Sequence, residues 1–411
     1  MILSDRNWNI YSTILLIQAF HSLKAWFLWW LPDTSAAIVF ALINIIYMLL
    51  SPFWQFGDAR RRGIAAIILF FFLYRTEGNM MAYAFSAVTS FSLIPLVFLK
   101  PEYQIDLLKR FQKVITIILS VSLFFWIWHL IGYDLPSSII TFGTVDRGNG
   151  MEDQYIFSNH YLYLASMSWM MRSGVVPEFF RFSAVFLEPG YLAILMVFLL
   201  FINGFDFKEK RNILYVGVII ATVSLAGFLM GIFAYIAQNV RSSKRGIYSL
   251  FIVTIICFYG YDFFKDYNNG NNFVNQGIIE RLEYDEMEGT IAGNNRTSIG
   301  LDNHFEEFVK TSDIWYGLGR SKDIEFGVGY KAFLLKYGIF GLAIWLIYML
   351  MISRIGNNYR SYTLLALYIL MFLRGDVTML WYGFMLVYVC GVVFTKYGLS
   401  AYEENSDSVT V

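Results

Sequence analysis

Between Arg181 and Val197 the chain reads RFSAVFLEPGYLAILMV, with a guanidinium and a carboxylate at the mouth of a long apolar run. Ionisable groups at membrane depth are costly and are usually paired or functional. An Arg stays charged and grips oxyanions with a planar fork of donors, and a Glu within reach accepts a proton. Anion binding and proton transfer are the chemistry this stretch offers. A structural account covers part of it. Glu188 precedes Pro189, a residue favoured at the first helical position, and a carboxylate there interacts well with the helix dipole. Gly190 lets another backbone approach. Arg181, inside the mostly apolar FFRFSAVFLE, needs either a pairing with Glu188 or a function.

Further chemistry-bearing residues lie between 265 and 328: Arg281, Arg296, Arg320, His304 and the pair Asp323-x-Glu325. Arg281 sits in IIERLEYDEME, so an ion pair with an acidic neighbour is its first reading. Arg296 is flanked by Asn294, Asn295 and Thr297, and pairing explains it less well. The acidic run Glu280, Glu283, Asp285, Glu286 and Glu288 reads as a solvated helix face, without the alternating turn residues a Ca2+ loop needs. The chain has no P-loop, no Rossmann fingerprint, no HExxH and no clustered Cys/His, so no cofactor and no metal are expected. Its two cysteines, Cys257 and Cys390, lie in apolar runs and read as packing residues.

The elements that must position these residues follow from composition. Of 411 residues 57% are hydrophobic and 15% charged, with a mean hydropathy of +0.53. A soluble chain carries about 25% charged residues. Apolar runs recur from end to end, which predicts an all-α, polytopic transmembrane bundle of about twelve spans. Their limits are near 8–31, 35–56, 63–76, 79–99, 113–132, 189–205, 212–223, 225–240, 246–264, 329–352, 361–374 and 377–396. The loops GDARRRG, KPEYQIDLLKRFQK, DFKEKR, RSSKR and SRIGNNYR fall on one side, with about 15 Lys/Arg against about 5 Asp/Glu. That bias places them and both termini in the cytoplasm. No cleavable signal peptide is evident. Residues 1–400 read as one integral membrane domain and 401–411 as a disordered cytoplasmic tail. Two large loops, about 133–188 and 265–328, then face outward. In the first, HYLYLASMSWMM is too short to span and reads as a surface helix. In the second, Phe305, Phe308, Val309, Ile314 and Trp315 predict order near 302–316. Zero net charge gives no basic field for nucleic acid.

Arg-Phe-x-x-x-Phe-x-Glu-Pro-Gly running straight into a span resembles the O-antigen polymerases of the Wzy type, within the superfamily that also holds O-antigen ligases. VSLAGFLMGIFAYI (223–236) resembles the family's Ser-x-x-Gly segment, with Ser224 and Gly227 matching and Leu225 where an Arg often stands. NNRTS, WYGLGRS and YGIFGL come after it, the last resembling a Gly-x-x-Gly entry to a late span. Ligases carry a His shortly before that entry; here the region reads SKDIEFGVGYKAFLLKYG, which favours polymerase. The resemblance implies a glycan donor on undecaprenyl diphosphate in a bacterial inner membrane. The acceptor would be a second lipid-linked repeat, and the partners membrane lipid, a chain-length regulator and a flippase. Arg181, Arg296 and Arg320 are then candidates to hold the diphosphate, Arg320 next to Gly317 and Gly319, whose amides would approach a phosphate. Glu188, His304, Asp323 and Glu325 are candidate bases, with Glu188 and His304 put forward as catalytic. The alternatives are a ligase and a flippase for the same lipid-linked glycan. Transporters tend to show internal repeats and midplane charges, which this sequence lacks.

Overall fold

The computed structural model describes residues 2–133, 135–146, 152–166, 181–240, 255, 259–270, 272, 274, 275, 279–285, 290, 291, 299–319, 329–374 and 381–398. The chain divides into two compact units, Met1–Val114 with Ile299–Val411, and Ile115–Ser298. Helices dominate. Among the described residues four stretches are long and apolar enough to cross a membrane: Asp33–Leu50, Met80–Phe98, Pro101–Leu130 and Tyr330–Gly356. Helix is present at each expected span position among the described residues, at 246–264 in Ile255 and 259–264, while only the four stretches above are long and apolar enough to cross; the rest of 246–264 and all of 401–411 lie outside the described residues.

The first unit holds α1 (Ile2–Ser22), α2 (Asp33–Leu50), α3 (Ala59–Leu73), α4 (Met80–Ser90), α5 (Ile94–Phe98) and the start of α6 (Pro101–Leu130). The expected first span, 8–31, ends early. Lys24 takes a left-handed φ of 57°, and Trp26–Leu28 form a 3-10 turn instead of continuing α1. Arg61, one of the basic residues of the loop GDARRRG, is buried. Its Nη1 donates to the carbonyls of Val97 (2.6 Å) and Leu99 (2.5 Å), where α5 ends.

The second unit contributes α7 (Pro189–Ile202), α8 (Lys210–Thr222) and α9 (Leu225–Val240). The first unit resumes with α10 (Ile299–Val309), α11 (Tyr330–Gly356), α12 (Tyr359–Arg374) and α13 (Tyr382–Tyr397). From Tyr382 to Thr395, α13 is buried at every position. A helix apolar all round must be enclosed by others, and α13 packs against α1, α5, α11 and α12. Small and hydroxyl residues bring it close, as helices in lipid require. The Gly383 amide donates to Ser22 Oγ (2.8 Å), and Tyr388 OH lies 2.7 Å from Ser353 Oγ while donating to the Met349 carbonyl.

Gly338 breaks the helical path of α11 with φ 66° and ψ −174°, a region open essentially to Gly alone. A break strands backbone groups that the next turn would have used. Loop 315–319 takes them up. Leu318 N donates to Leu335 O (2.6 Å), Gly319 N to Lys336 O (3.2 Å), and Trp315 O accepts from Phe340 N (3.0 Å). The approach is backbone on backbone. A Cβ on Gly338 would lie 2.5 Å from Gly317 N and 2.6 Å from Trp315 C, and one on Gly317 2.6 Å from Tyr337 N.

The second unit departs from the all-α expectation. Its β1 (Ser138–Asp146), β2 (Glu152–Asn159) and β3 (Leu164–Ser166) form an antiparallel sheet in that order, with a bulge between Phe142 and Thr144. From Ser138 to Phe142 exposure alternates residue by residue, the period of a strand with one covered face. β-branched Ile139, Ile140, Thr141, Thr144 and Val145 favour that pleat. The expected surface helix at 160–171 is also corrected: Leu164–Ser166 pair with Phe157–Asn159, and residues beyond 166 lie outside the described set. The described part of the acidic run is no α-helix face either, Glu286 and Glu288 lying outside the described residues. Glu280–Leu282 make a 3-10 turn, and Tyr284–Asp285 pair with Thr290–Ile291 as β4 and β5.

Gly338→Ala should lower the thermal midpoint of the detergent-solubilised protein, since a side chain in that backbone region costs about 1–3 kcal/mol before any clash. Gly57→Ala, with nothing within 4 Å of its Cβ, should leave it unchanged. Scanning fluorimetry of the two variants checks the kink; equal midpoints would refute its role.

Candidate functional site

Residues 181–188, which lead into α7, carry Arg181 and Glu188, and their backbone is tied to β3 at Ala184 and to α8 at Phe182. Leu164 N donates to Ala184 O (2.8 Å), and Ser183 Oγ to Leu164 O (3.3 Å). Phe182 N donates to Ala221 O (3.1 Å) in the last turn of α8. Phe182 itself is fully buried, with its ring edge-on to Trp126 at 5.5 Å. These bonds leave Arg181 and Glu188 half-buried at the ends of an apolar strip.

Arg181 Nε donates to the carbonyl of Thr222 (2.7 Å), the last residue of α8. Helix C-termini carry unsatisfied carbonyls and partial negative charge, so a guanidinium there caps and neutralises the end. Glu188 is the N-cap of α7, extended at φ −132° and ψ 126°, with Pro189 in the first turn and no side-chain capping bond. Its carbonyl accepts from Leu192 N (3.3 Å). Every residue of α7 except Tyr191 is buried, so the carboxylate marks where a wholly apolar helix begins.

Ser224 and Gly227 have physical reasons of their own. Val223 turns the chain between α8 and α9 in a left-handed conformation, φ 46°, an outlier for a β-branched residue. Ser224 Oγ then accepts from Gly227 N (3.3 Å), the N-cap bond of α9. A Cβ on Gly227 would stand 2.5 Å from Ala193 Cβ, so Gly at this position lets α9 cross close to α7. α9 thus begins close to the second turn of α7, with Glu188 at the head of α7 and Arg181 on the last carbonyl of α8. A helix N-terminus favours an anion.

The other sequence candidates fall elsewhere. His304 lies in α10 of the first unit, half-buried, whereas Glu188 and Arg181 belong to the second. α10 is held by Leu301, Phe308 and Leu335, with Phe305 and Ile314 packed on them. Asp302 binds Lys331 Nζ at 2.7 Å. Order near 302–316 is present as α10 and a 3-10 turn at Ser312–Ile314, with Val309 and Trp315 exposed on it. Arg296, Arg320, Asp323 and Glu325, and the side chain of Arg281, lie outside the described residues. The loop amides beside Arg320 are committed inward, Gly317 N to Asp313 O (2.7 Å) and the next two to α11. They do not form the phosphate cradle expected from the glycines.

One cluster escaped the sequence reading. At the end of α6 His129 Nδ1 is hydrogen-bonded to Tyr163 OH. His160 stacks on the Tyr163 ring at 4.7 Å and meets His129 edge to face at 4.8 Å. His160 Nε2 lies 3.2 Å from Ser158 Oγ, while its Nδ1 is buried without a hydrogen bond among the described residues. Burial, with His129 beside it, holds the His160 imidazole below its ordinary pKa, against the opposing pull of the Leu135 backbone. Burial pushes the Tyr163 phenol up. Residues 160–163 are the turn between β2 and β3, closed by a bond from His160 N to Tyr163 O (3.0 Å), and nothing in the sequence shows that this turn lies against the end of α6.

His160 therefore folds as a neutral group. The unfolded chain takes up its proton near 6.5 and the folded chain only at lower pH. Stability is present above 6.5 and is lost as pH falls through the interval below it. The protection factors of amides in β2 and β3, corrected for the intrinsic exchange rate at each pH, should fall as pH drops below about 6.5, and His160→Gln should flatten the response. The same fall in the variant would remove His160 as its source.

Comparison with family models, with curated proteins and with solved structures finds no match to this chain.

Proposed function

We propose that this chain is a membrane glycosyltransferase of the O-antigen polymerase type, one that moves a glycan from undecaprenyl diphosphate to a second lipid-linked repeat. The observation that carries the reading is the strip 181–188, which puts a guanidinium on the end of α8 and a carboxylate at the head of a wholly apolar helix whose second turn meets the start of α9. A lipid diphosphate needs an apolar wall for its chain and fixed positive charge for its head.

In the proposed reaction an acceptor sugar hydroxyl attacks the anomeric carbon of the donor. The new C–O bond forms as the bond to the diphosphate oxygen breaks, and the electron pair leaves with the lipid diphosphate. The hydroxyl proton passes to a base. Arg181 and the helix N-termini offset the charge growing on the leaving group. Glu188 is within the same segment and takes the proton. About twelve helices cross the inner membrane with both termini cytoplasmic, as the loop charges favour. The partners in this reading are the lipid-linked repeats, a flippase and a chain-length regulator.

A gel of surface lipopolysaccharide from a deletion strain tests the proposal. The ladder should collapse to core plus one repeat and return with the gene. Arg181→Ala and Glu188→Ala should also fail to restore it, while each protein remains in the membrane fraction. An unchanged ladder on deletion would overturn the function, and full ladders from both stable variants would overturn the site. Bare core with polymer left on the carrier lipid would replace the polymerase with a ligase, and bare core with repeats trapped inside would replace it with a flippase.

A further inference from the structure

Arg75 lies just past the end of α3 in a left-handed conformation, φ 57°. Its Nη2 donates to the Gly317 carbonyl at 2.7 Å. Its Nε is buried and has no acceptor among the described residues. Among the described residues no carboxylate forms an ion pair with this guanidinium, although Arg61, Arg110 and Arg211 each have one. Glu77, two residues on, is exposed, and its carboxylate lies against Gly319, where a Cβ would collide with it. A guanidinium has five donors, and a partly buried one with a single carbonyl acceptor lacks the counter-charge that such groups need.

The surroundings hold the cation in place. Tyr74 OH donates to the Tyr316 carbonyl at 3.1 Å, so two consecutive side chains grip the loop that fills the α11 break. Thr76 Oγ1 bonds Phe72 O and Ser86 Oγ, each at 3.0 Å, and Asn79 caps α4. A left-handed non-Gly residue fixed from both sides is strain of the kind found at ligand clamps. Beside it Trp315, Tyr316 and Phe340 form an aromatic ridge, with rings 5.1 and 5.9 Å apart and 43–55% of their surface exposed.

We propose that Arg75 is a phosphate-binding residue: its guanidinium receives the oxygens of a phosphate ester or diphosphate, and the Trp315–Tyr316–Phe340 ridge lines the approach. Two sources share this chemistry, a membrane lipid headgroup and a free diphosphate. The site lies within the first unit and does not depend on the glycosyltransferase reading.

The test is binding by the full-length protein. Inorganic diphosphate is titrated calorimetrically into detergent-solubilised protein, and phosphatidylglycerol is counted by native mass spectrometry. Arg75→Gln should weaken one or both by about tenfold or more. Arg75→Lys should fall between, keeping the charge and losing the fork. Arg110→Gln, which removes a cation already paired with Asp106, should bind as the parent does. Loss with phosphatidylglycerol alone identifies a lipid headgroup site, and loss with diphosphate alone a soluble anion site. If Arg75→Gln fails to fold, Arg75→Lys carries the test. Unchanged binding of both probes in the folded Arg75 variant, or equal loss in Arg110→Gln, overturns the proposal.

Discussion

The first unit turns on the pairing of loop 315–319 with the break in α11. In an apolar environment an unmet backbone group costs several kcal/mol. A helix therefore breaks inside a membrane protein only where another segment replaces the lost bonds. Leu335 O, Lys336 O and Phe340 N are satisfied by Leu318, Gly319 and Trp315. The same contact brings the backbones at 317 and 338 so close that neither tolerates a Cβ. Arg75 and Tyr74 in turn reach the loop only because the loop is held there.

The second unit solves a different problem, how to begin a helix that is buried on all sides. α7 offers no polar face through which to be positioned. Its placement comes from its ends and crossings instead. Pro189 sets the first turn, the strip 181–188 is tied to β3 and α8, and Gly227 admits Ala193. The two charges sit where the apolar helix gives way to irregular backbone. That junction is where a fixed charge meets a helix end, Arg181 at the C-terminus of α8 and Glu188 at the N-terminus of α7, each of the sign the dipole favours.

Much of this was legible. Apolar runs located the helices because a span must be long and continuous, and Glu-Pro-Gly located the start of α7 to the residue. Order near 302–316 was readable from Phe305, Phe308 and Ile314, which do pack together. The misses have physical causes. HYLYLAS contains a hydrophobic stretch compatible with helix or strand, and only its pairing with Phe157–Asn159 decides between them. The glycines at 317 and 319 looked like an anion cradle, but free and committed amides have the same sequence. His129 and His160 are 31 positions apart, and nothing local brings their rings together.

Three arginines show why residue type alone does not assign a role. Arg61 is enclosed, but two carbonyls at the end of α5 accept from it and Asp58 stands 3.6 Å from Nε. Those partners account for its charge, and its role is to join α3 to α5. Arg181 reaches the final carbonyl of α8, where the helix dipole already favours a cation. That contact anchors one edge of the guanidinium and leaves its position, on the strip that leads into α7, as the feature that reads as function. Arg75 has one carbonyl and no carboxylate among the described residues, although its backbone is held in a strained conformation. The fold keeps a charge there that no carboxylate among the described residues balances, which is why an acceptor from outside the chain is proposed for it. Sequence placed all three near apolar segments; counting acceptors separates them.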